Sequence, residues 1–350
     1  MPFIHASCLC LLHSIRGFIF LSLAACVILG GGKNVSAKEL RLSTLAMGNS
    51  NQFKAFQKAG AEIAAKTDGA VTLKVYPAGI SGTGDTLIRK IKLRQMEGGS
   101  FTVSEVAQYC PDLNVPSLSF MFNTYEEVDK VFPVLARSFD KALLDNGFVV
   151  LGYIETGFAY FMSTKPIATV EDIKQRNIWV QPDDWVAQLE LKYFGVTPKT
   201  MSIAQATTGL NTGMVDTVVG PFIAAIGLQW FTAVKYIMDV PLVYTYSVIL
   251  VSKKVFDRLS PEHQTIVKNA FAAQFQEALK KKTREENLAA RKVLADKGIQ
   301  FVRPPESEIQ KIIDRMKPSK EAISQKGIMS HGIIGTTLQQ VKTLRDDGNG

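Results

Sequence analysis

Apolar positions recur along most of the chain in short alternating runs, separated by longer stretches of helical period. Leu40-Arg41-Leu42-Ser43-Thr44-Leu45 alternates apolar and polar residues and predicts a strand with one buried face. Phe53, Phe56, Ile63 and Ala64 then share one face of a helix that should stop near Asp68-Gly69. Residues 71–75 alternate again and halt before Pro77, and 85–96 predicts a helix with Leu87, Ile88, Ile91 and Leu93 apolar. Residues 148–154 are almost continuously apolar, as in a strand covered on both faces. The strand rhythm returns at 177–180, 215–219 and 248–251, with helical pattern between. Such alternation predicts an α/β protein with a mainly parallel sheet. Residues 261–294 differ: they are rich in Ala, Lys, Glu and Gln and hold no Gly or internal Pro. This predicts one long helix, capped by Ser260 with Pro261 in its first turn, able to run across two domains. There is no internal repeat and no low-complexity linker.

Composition adds little to that picture but excludes several classes. With 350 residues, 46% hydrophobic and 21% charged, the chain is ordinary for a globular protein of roughly two domains. The formal charge of +8 is spread along the sequence and is not interleaved with aromatics. It predicts a solvated basic surface and no nucleic-acid partner, and Lys280-Lys281-Lys282 reads as an exposed helix face.

The amino terminus reads as an export signal. Residues 17–29 form a run of thirteen apolar or small residues after Arg16, where a spanning helix needs about 20. Val35-Ser36-Ala37 offers small residues at a cleavage site, so residues 1–37 are expected to be a signal peptide removed on entry to the periplasm. The rival is Leu23-Ala24-Ala25-Cys26, which resembles a lipobox and would leave Cys26 lipidated, although Val27, Ile28 and Leu29 prolong the apolar run past it. After cleavage Cys110 is the one remaining Cys and His263 and His331 the remaining His. No intrachain disulfide can form, and a metal site has almost no raw material. Cys110 is expected to be a small buried hydrophobe, not a nucleophile.

Motifs that carry chemistry are weak throughout. Gly30-Gly31-Gly32-Lys33 lacks phosphate-loop spacing and belongs to the tail of the signal. The loop Ile80-Ser81-Gly82-Thr83-Gly84-Asp85 could hold an anion but reads better as a plain turn into a helix. Asp183-Asp184 could be an acid–base pair or a cation ligand, yet their place before Trp185 and Leu189 favours a helix N-terminus. G-x-S-x-G, H-E-x-x-H and C-x-x-C are absent. No catalytic residue, metal or cofactor is expected, and the chain is not expected to be an enzyme. An exported two-domain α/β protein whose halves close on a ligand is the architecture of a solute receptor. An exported enzyme and a structural or adhesive protein are the other classes.

Specific sequence pieces sharpen this reading. Val75-Tyr76-Pro77-Ala78-Gly79, Pro116-Ser117-Leu118-Ser119-Phe120-Met121-Phe122, and Leu151-Gly152-Tyr153 before Thr156-Gly157-Phe158 occur in order. Lys165-Pro166-Ile167 with Val170-Glu171-Asp172-Ile173-Lys174 follows, then Gly195-Val196-Thr197-Pro198. Leu210-Asn211-Thr212-Gly213-Met214-Val215-Asp216 and Leu259-Ser260-Pro261-Glu262-His263-Gln264 complete the series. In order and spacing the chain resembles DctP-type solute-binding proteins of TRAP transporters over essentially its whole length after residue 37. The resemblance implies two α/β domains with a hinge and a long domain-spanning helix. It places domain I at 38–156 plus 246–285 and domain II at 157–245 plus 286–345, with hinge crossings near 155–158 and 244–248. The implied partners are a small-molecule solute and the membrane permease subunits, and the chain is expected to be a monomer.

The resemblance also implies a carboxylate clamp, and here the chain departs from it. Where family members commonly carry Arg after the Gly-Phe pair, this sequence has Ala159. Where the principal clamping Arg sits, it has Trp179, and where an Asn often touches the ligand it has Gly220. An indole offers an apolar face and one N–H, not a guanidinium fork. Arg89 and Arg94 could have taken over the clamp, but both belong to a charged helix and are expected at the surface. Trp179, Phe158, Tyr160, Phe222, Phe101 and Trp230 are the aromatic candidates for the cleft, and Gln181, Asn51 and Glu155 the polar ones. The expected ligand is more apolar or aromatic than a dicarboxylate, with an ordinary organic acid and a relocated cation as the alternative.

Overall fold

The computed structural model describes residues 37–347; most of the expected signal peptide, Cys26 and the Gly30-Gly31-Gly32-Lys33 segment lie outside the described residues. Ten strands occur in them: β1 (Lys38–Ser43), β2 (Val71–Tyr76), β3 (Gly98–Thr102), β4 (Phe148–Ser163), β5 (Trp179–Val180), β6 (Lys199–Thr200), β7 (Thr217–Gly220), β8 (Tyr236–Met238), β9 (Val243–Ser252) and β10 (Gln300–Val302). The fold is α/β, as the alternation predicts. Leu40 and Leu42 of β1 are fully buried, which is the inward half of the alternating pattern.

The sheet is mixed, not mainly parallel. β1 pairs in parallel with β2 and β3, and β8 with β10. The long strands β4 and β9 run antiparallel to each other, and β3 joins β9 antiparallel. The far end of β4 pairs antiparallel with β7 and β8. One strand, β4, therefore serves two groups of strands: β2-β1-β3-β9 beside its first part, β7 and β8-β10 beside its last. Apolar content alone does not reveal strand direction, which is why the periodicity missed this.

Each group of strands carries its own packed residues. Leu40, Phe56, Ile249, Phe271 and Phe275 form one core on the first group, and Phe101, Phe139, Val248 and Leu250 another on its opposite face. Phe161, Ile178, Phe194 and Met316 make a third, and Met162, Trp179, Val218, Trp230 and Leu294 a fourth. Cys110 lies buried in the second of these, where burial pushes its thiol up to about 11, the behaviour of a small hydrophobe.

The long helix is continuous from Pro261 to Asp296, with a π-helical stretch at Ala272–Leu279. Ser260 accepts a hydrogen bond from His263 N–H at 3.2 Å, the expected cap. The π stretch brings Phe271 and Phe275 into a stack 5.5 Å apart, and Phe275 meets Phe56 edge-on at 4.7 Å. Its first part packs on helix Asn51–Lys66 and its last on helix Phe222–Gly227. The helix expected over 85–96 ends at Lys92, because Arg94 adopts a left-handed φ of 59°.

The long helix also fastens the place where β4 and β9 cross. β4 is irregular between Glu155 and Gly157, and Gly157 has φ 105°. A Cβ there would sit 2.8 Å from both Asn287 Nδ2 and Tyr125 Oη, so only glycine fits. Asn287 donates to Thr156 O at 2.9 Å, and Arg284 grips Glu155 through Nε at 2.7 Å and Nη2 at 2.8 Å. Tyr244 of β9 donates to the same carboxylate at 2.9 Å. No described helix is long and apolar enough to cross a membrane.

Candidate functional site

A cavity of about 290 Å³ lies against these crossing strands, which suits a small organic molecule. Its wall takes Ala159 and Phe161 from β4, Thr245 and Tyr246 from β9, Trp179 from β5 and Gly220 from β7. Asp184 and Glu190 reach it from helix Trp185–Tyr193, and Ser117 and Ser119 from the segment before helix Tyr125–Asp145.

Four of the residues expected at the site are in this wall: Trp179, Gln181, Gly220 and Trp230. Trp179 is 4% exposed and meets Trp230 edge-on at 5.7 Å, so the protein itself covers most of both rings. Trp179 donates its indole N–H to Met201 O at 2.9 Å and Trp230 donates to Thr207 Oγ1 at 3.2 Å. Neither N–H is left for a ligand. A Cβ on Gly220 would come within 2.8 Å of Trp230, so the residue standing where an Asn was expected is the one that lets the indole close on β7.

The other six expected residues lie elsewhere. Successive side chains of a strand face opposite sides, and Thr156, Ala159 and Phe161 take the cavity side of β4. Phe158 therefore packs between Tyr125 and Tyr244, and Tyr160 stacks on Phe222 at 4.2 Å. Phe101 points into the core behind Thr102 for the same reason. Glu155 is held by Arg284, and Asn51 donates to Glu286 of the long helix. Arg89 and Arg94 are exposed and outside the wall, so neither replaces the missing clamp.

Of the cavity's two charged residues, Asp184 was read from sequence as part of a helix N-terminus, and Glu190 was missed. Glu190 is 3% exposed, and it accepts hydrogen bonds from Ser119 N–H at 3.1 Å and Ser119 Oγ at 2.6 Å. Burial pushes its carboxyl up to about 7, against the opposing pull of the Ser119 bonds and of Lys320. Lys320, itself buried, makes no ion pair within 4.0 Å among the described residues, and burial holds its ammonium below the usual lysine range. Asp184 caps its helix by accepting from Ala187 N–H at 3.0 Å, and burial raises its carboxyl too. The signal was present: Glu190 stands four residues after Val186 on the buried stripe of its helix. A carboxylate on an apolar face needs a reason.

Comparison with known proteins gives this geometry its context. A family model for bacterial extracellular solute-binding proteins, family 7 (DctP), matches residues 42–326. The 2,3-diketo-L-gulonate-binding periplasmic protein of Escherichia coli is 25% identical over 288 residues, covering 81% of this chain and 80% of that one. A TRAP periplasmic solute-binding protein of Ochrobactrum anthropi, 21% identical, superposes with a TM-score of 0.80 over 89% of this chain and 97% of its own. Another from a Sulfitobacter species, solved with bound β-D-galacturonate, is 25% identical with a TM-score of 0.76, covering 87% of this chain and 100% of that one.

Proposed function

Because the chain belongs to family 7 of the bacterial extracellular solute-binding proteins, the DctP family, we propose that it is the extracytoplasmic receptor of a TRAP-type transporter. It captures a small organic solute in the cavity at the crossing strands and hands it to the membrane permease subunits. The single observation that carries this reading is the cavity of about 290 Å³ set where β4 passes from one group of strands to the other. A ligand there touches both groups, so closure and capture are one event. We assign the lobes to 38–156 plus 246–285 and to 157–245 plus 286–345. Release to the periplasm by cleavage after Ala37, and function as a monomer, belong to the same proposal.

The solute is more apolar or aromatic than the sugar acids bound by the relatives. The wall holds Phe161, Trp179, Leu191, Trp230 and Met316, and no Arg, Lys or His. Burying a carboxylate against such a wall is costly, whereas apolar atoms gain about 25 cal/mol per Å² removed from water. A second reading, an organic acid, is favoured by the galacturonate and diketogulonate named for relatives. Among the described residues, the cation that acts on Glu190 is Lys320, which lies outside the wall. The test is mass spectrometry of what co-purifies with the exported protein, followed by calorimetric titration. An apolar solute supports the first reading, an acid whose affinity collapses in Lys320→Met supports the second, and robust chemical turnover of the captured molecule sinks both.

A further inference from the structure

Four hydroxyl donors in the cavity wall are spent on the protein, while Thr156 and Ser247 keep theirs. Ser117 donates to Tyr244 O at 3.0 Å, Ser119 to Glu190, Thr245 to Gly157 O at 2.6 Å and Tyr246 to Leu113 O at 2.6 Å. A hydroxyl has one proton and two lone pairs, so each of these groups meets a ligand as an acceptor. Both indole N–H groups are likewise engaged. The amides of Gln181 and Asn114 keep donors, but they face a wall that also holds the carboxylates of Asp184 and Glu190. The helix N-terminus that could have received an anion is already filled by the Asp184 side chain.

The neighbouring surface has the same sign. A second cavity of about 320 Å³ shares Ser104 with the first, and its wall carries Asp85, Glu105 and Asp183 with no basic residue. An acidic approach on a chain of formal charge +8 is local enrichment, and fields of this kind steer ligands of opposite charge.

We propose that the solute is an organic cation, with a primary or secondary ammonium on the Asp184 and Glu190 side of the cavity and an apolar or aromatic body beside Trp179 and Trp230. This rests on the receptor reading. The ammonium donates to the acceptors that remain and neutralises carboxylates that have no ion pair within 4.0 Å among the described residues. An aromatic wall tolerates a cation better than an anion, since ring faces carry negative charge.

The test incubates the exported protein with an equimolar library of small aromatic and aliphatic amines, alcohols and carboxylates, and reads retained molecules by mass spectrometry. Amines should be enriched at least tenfold over carboxylates of the same shape. Enrichment of carboxylates or alcohols overturns the inference and leaves the receptor reading standing; no retention at all, or conversion of a library member, brings both down. Titration of the best amine into Glu190→Gln and Asp184→Asn should show at least tenfold weaker binding. Both variants keep the hydrogen-bonding shape, and Asn caps helices as well as Asp. A loss below twofold in both overturns the proposal. Glu190 faces Ser119, Lys320 and Asp184, and burial pushes its carboxyl up to about 7. Amine affinity should therefore rise between pH 6 and pH 8, and a flat or falling profile counts against the proposal.

Discussion

Two buried glutamates, one on each side of the crossing strands, are treated in opposite ways. Glu155 is enclosed by Arg284 in a two-pronged grip and by the Tyr244 hydroxyl, and Arg284 is itself gripped by Asp129 at 2.7 and 2.8 Å. Burial opposes the charge on Arg284, yet the two carboxylates hold its guanidinium above the ordinary range. Glu190 is as deeply buried but has one serine and no cation within 4.0 Å among the described residues. The first glutamate is closed business: charge, partners and geometry are complete, and its role is to fix the crossing. The second is left wanting, and it stands in a cavity wall. Burial alone therefore does not separate structural from ligand-facing carboxylates; the state of their partners does.

The largest expected effect comes from breaking the completed side. Arg284→Ala leaves Glu155 buried without its cation, and removing one partner of such a pair costs about 3–5 kcal/mol. Because the Arg284 side chain is 23% exposed, we expect the lower end, about 3 kcal/mol, read as a shifted urea midpoint. An unchanged midpoint would put Glu155 and Glu190 in the same class and dissolve the contrast.

The next effect tests the incomplete side. The carboxyl of Glu190 is raised, so the folded protein holds a proton that the unfolded chain releases near pH 4.5. Stability is then lost as pH rises from about 4.5 through about 7, the sign opposite to that of a salt-bridged carboxylate. Glu190→Gln removes this titration, and relative to wild type it should gain about 2–3 kcal/mol between pH 5 and pH 8. Thermal unfolding of the two ligand-free proteins across that range measures it. A difference that stays constant with pH would mean that Glu190 is ionised throughout.

How much of this was readable in the sequence depends on the kind of information involved. Strand and helix periods located β1, β2, β4 and the long helix, because burying one face imposes a period that survives without knowledge of neighbours. Strand direction did not survive, since β9 is apolar whichever way it runs. At the site, the departures at Trp179 and Gly220 pointed to real wall positions. Phe158 and Tyr160 lie one residue from wall positions: on a strand an odd shift selects the opposite face, and the register was invisible without the partner. Glu155 and Asn51 lie outside the wall, held by partners, Arg284 and Glu286, far away in sequence on the long helix.

A smaller effect probes the joint between the two glutamates. Gly157→Ala places a methyl 2.8 Å from Asn287 Nδ2 and Tyr125 Oη at a φ of 105° that side chains rarely adopt. The strain should cost about 2 kcal/mol and loosen the crossing, seen as faster hydrogen exchange at 155–158. Wild-type stability in this variant would show that the crossing is already slack.

The smallest effect is expected at Asn51, and it checks the boundary of the cavity. Asn51 begins helix Asn51–Lys66 and donates to Glu286, which tethers the first turn of that helix to the long helix. It touches no part of the cavity wall. A single part-buried side-chain hydrogen bond contributes about 1 kcal/mol, and solvent replaces much of it here, so Asn51→Ala should cost about 0.5 kcal/mol. Affinity for the solute retained by the wild type should change less than twofold, against the tenfold loss expected for Glu190→Gln. Titration calorimetry on both variants under the same conditions makes the comparison. If Asn51→Ala weakened binding as much as Glu190→Gln, the solute would reach beyond the cavity to the long helix, and the incomplete glutamate would no longer mark where it sits.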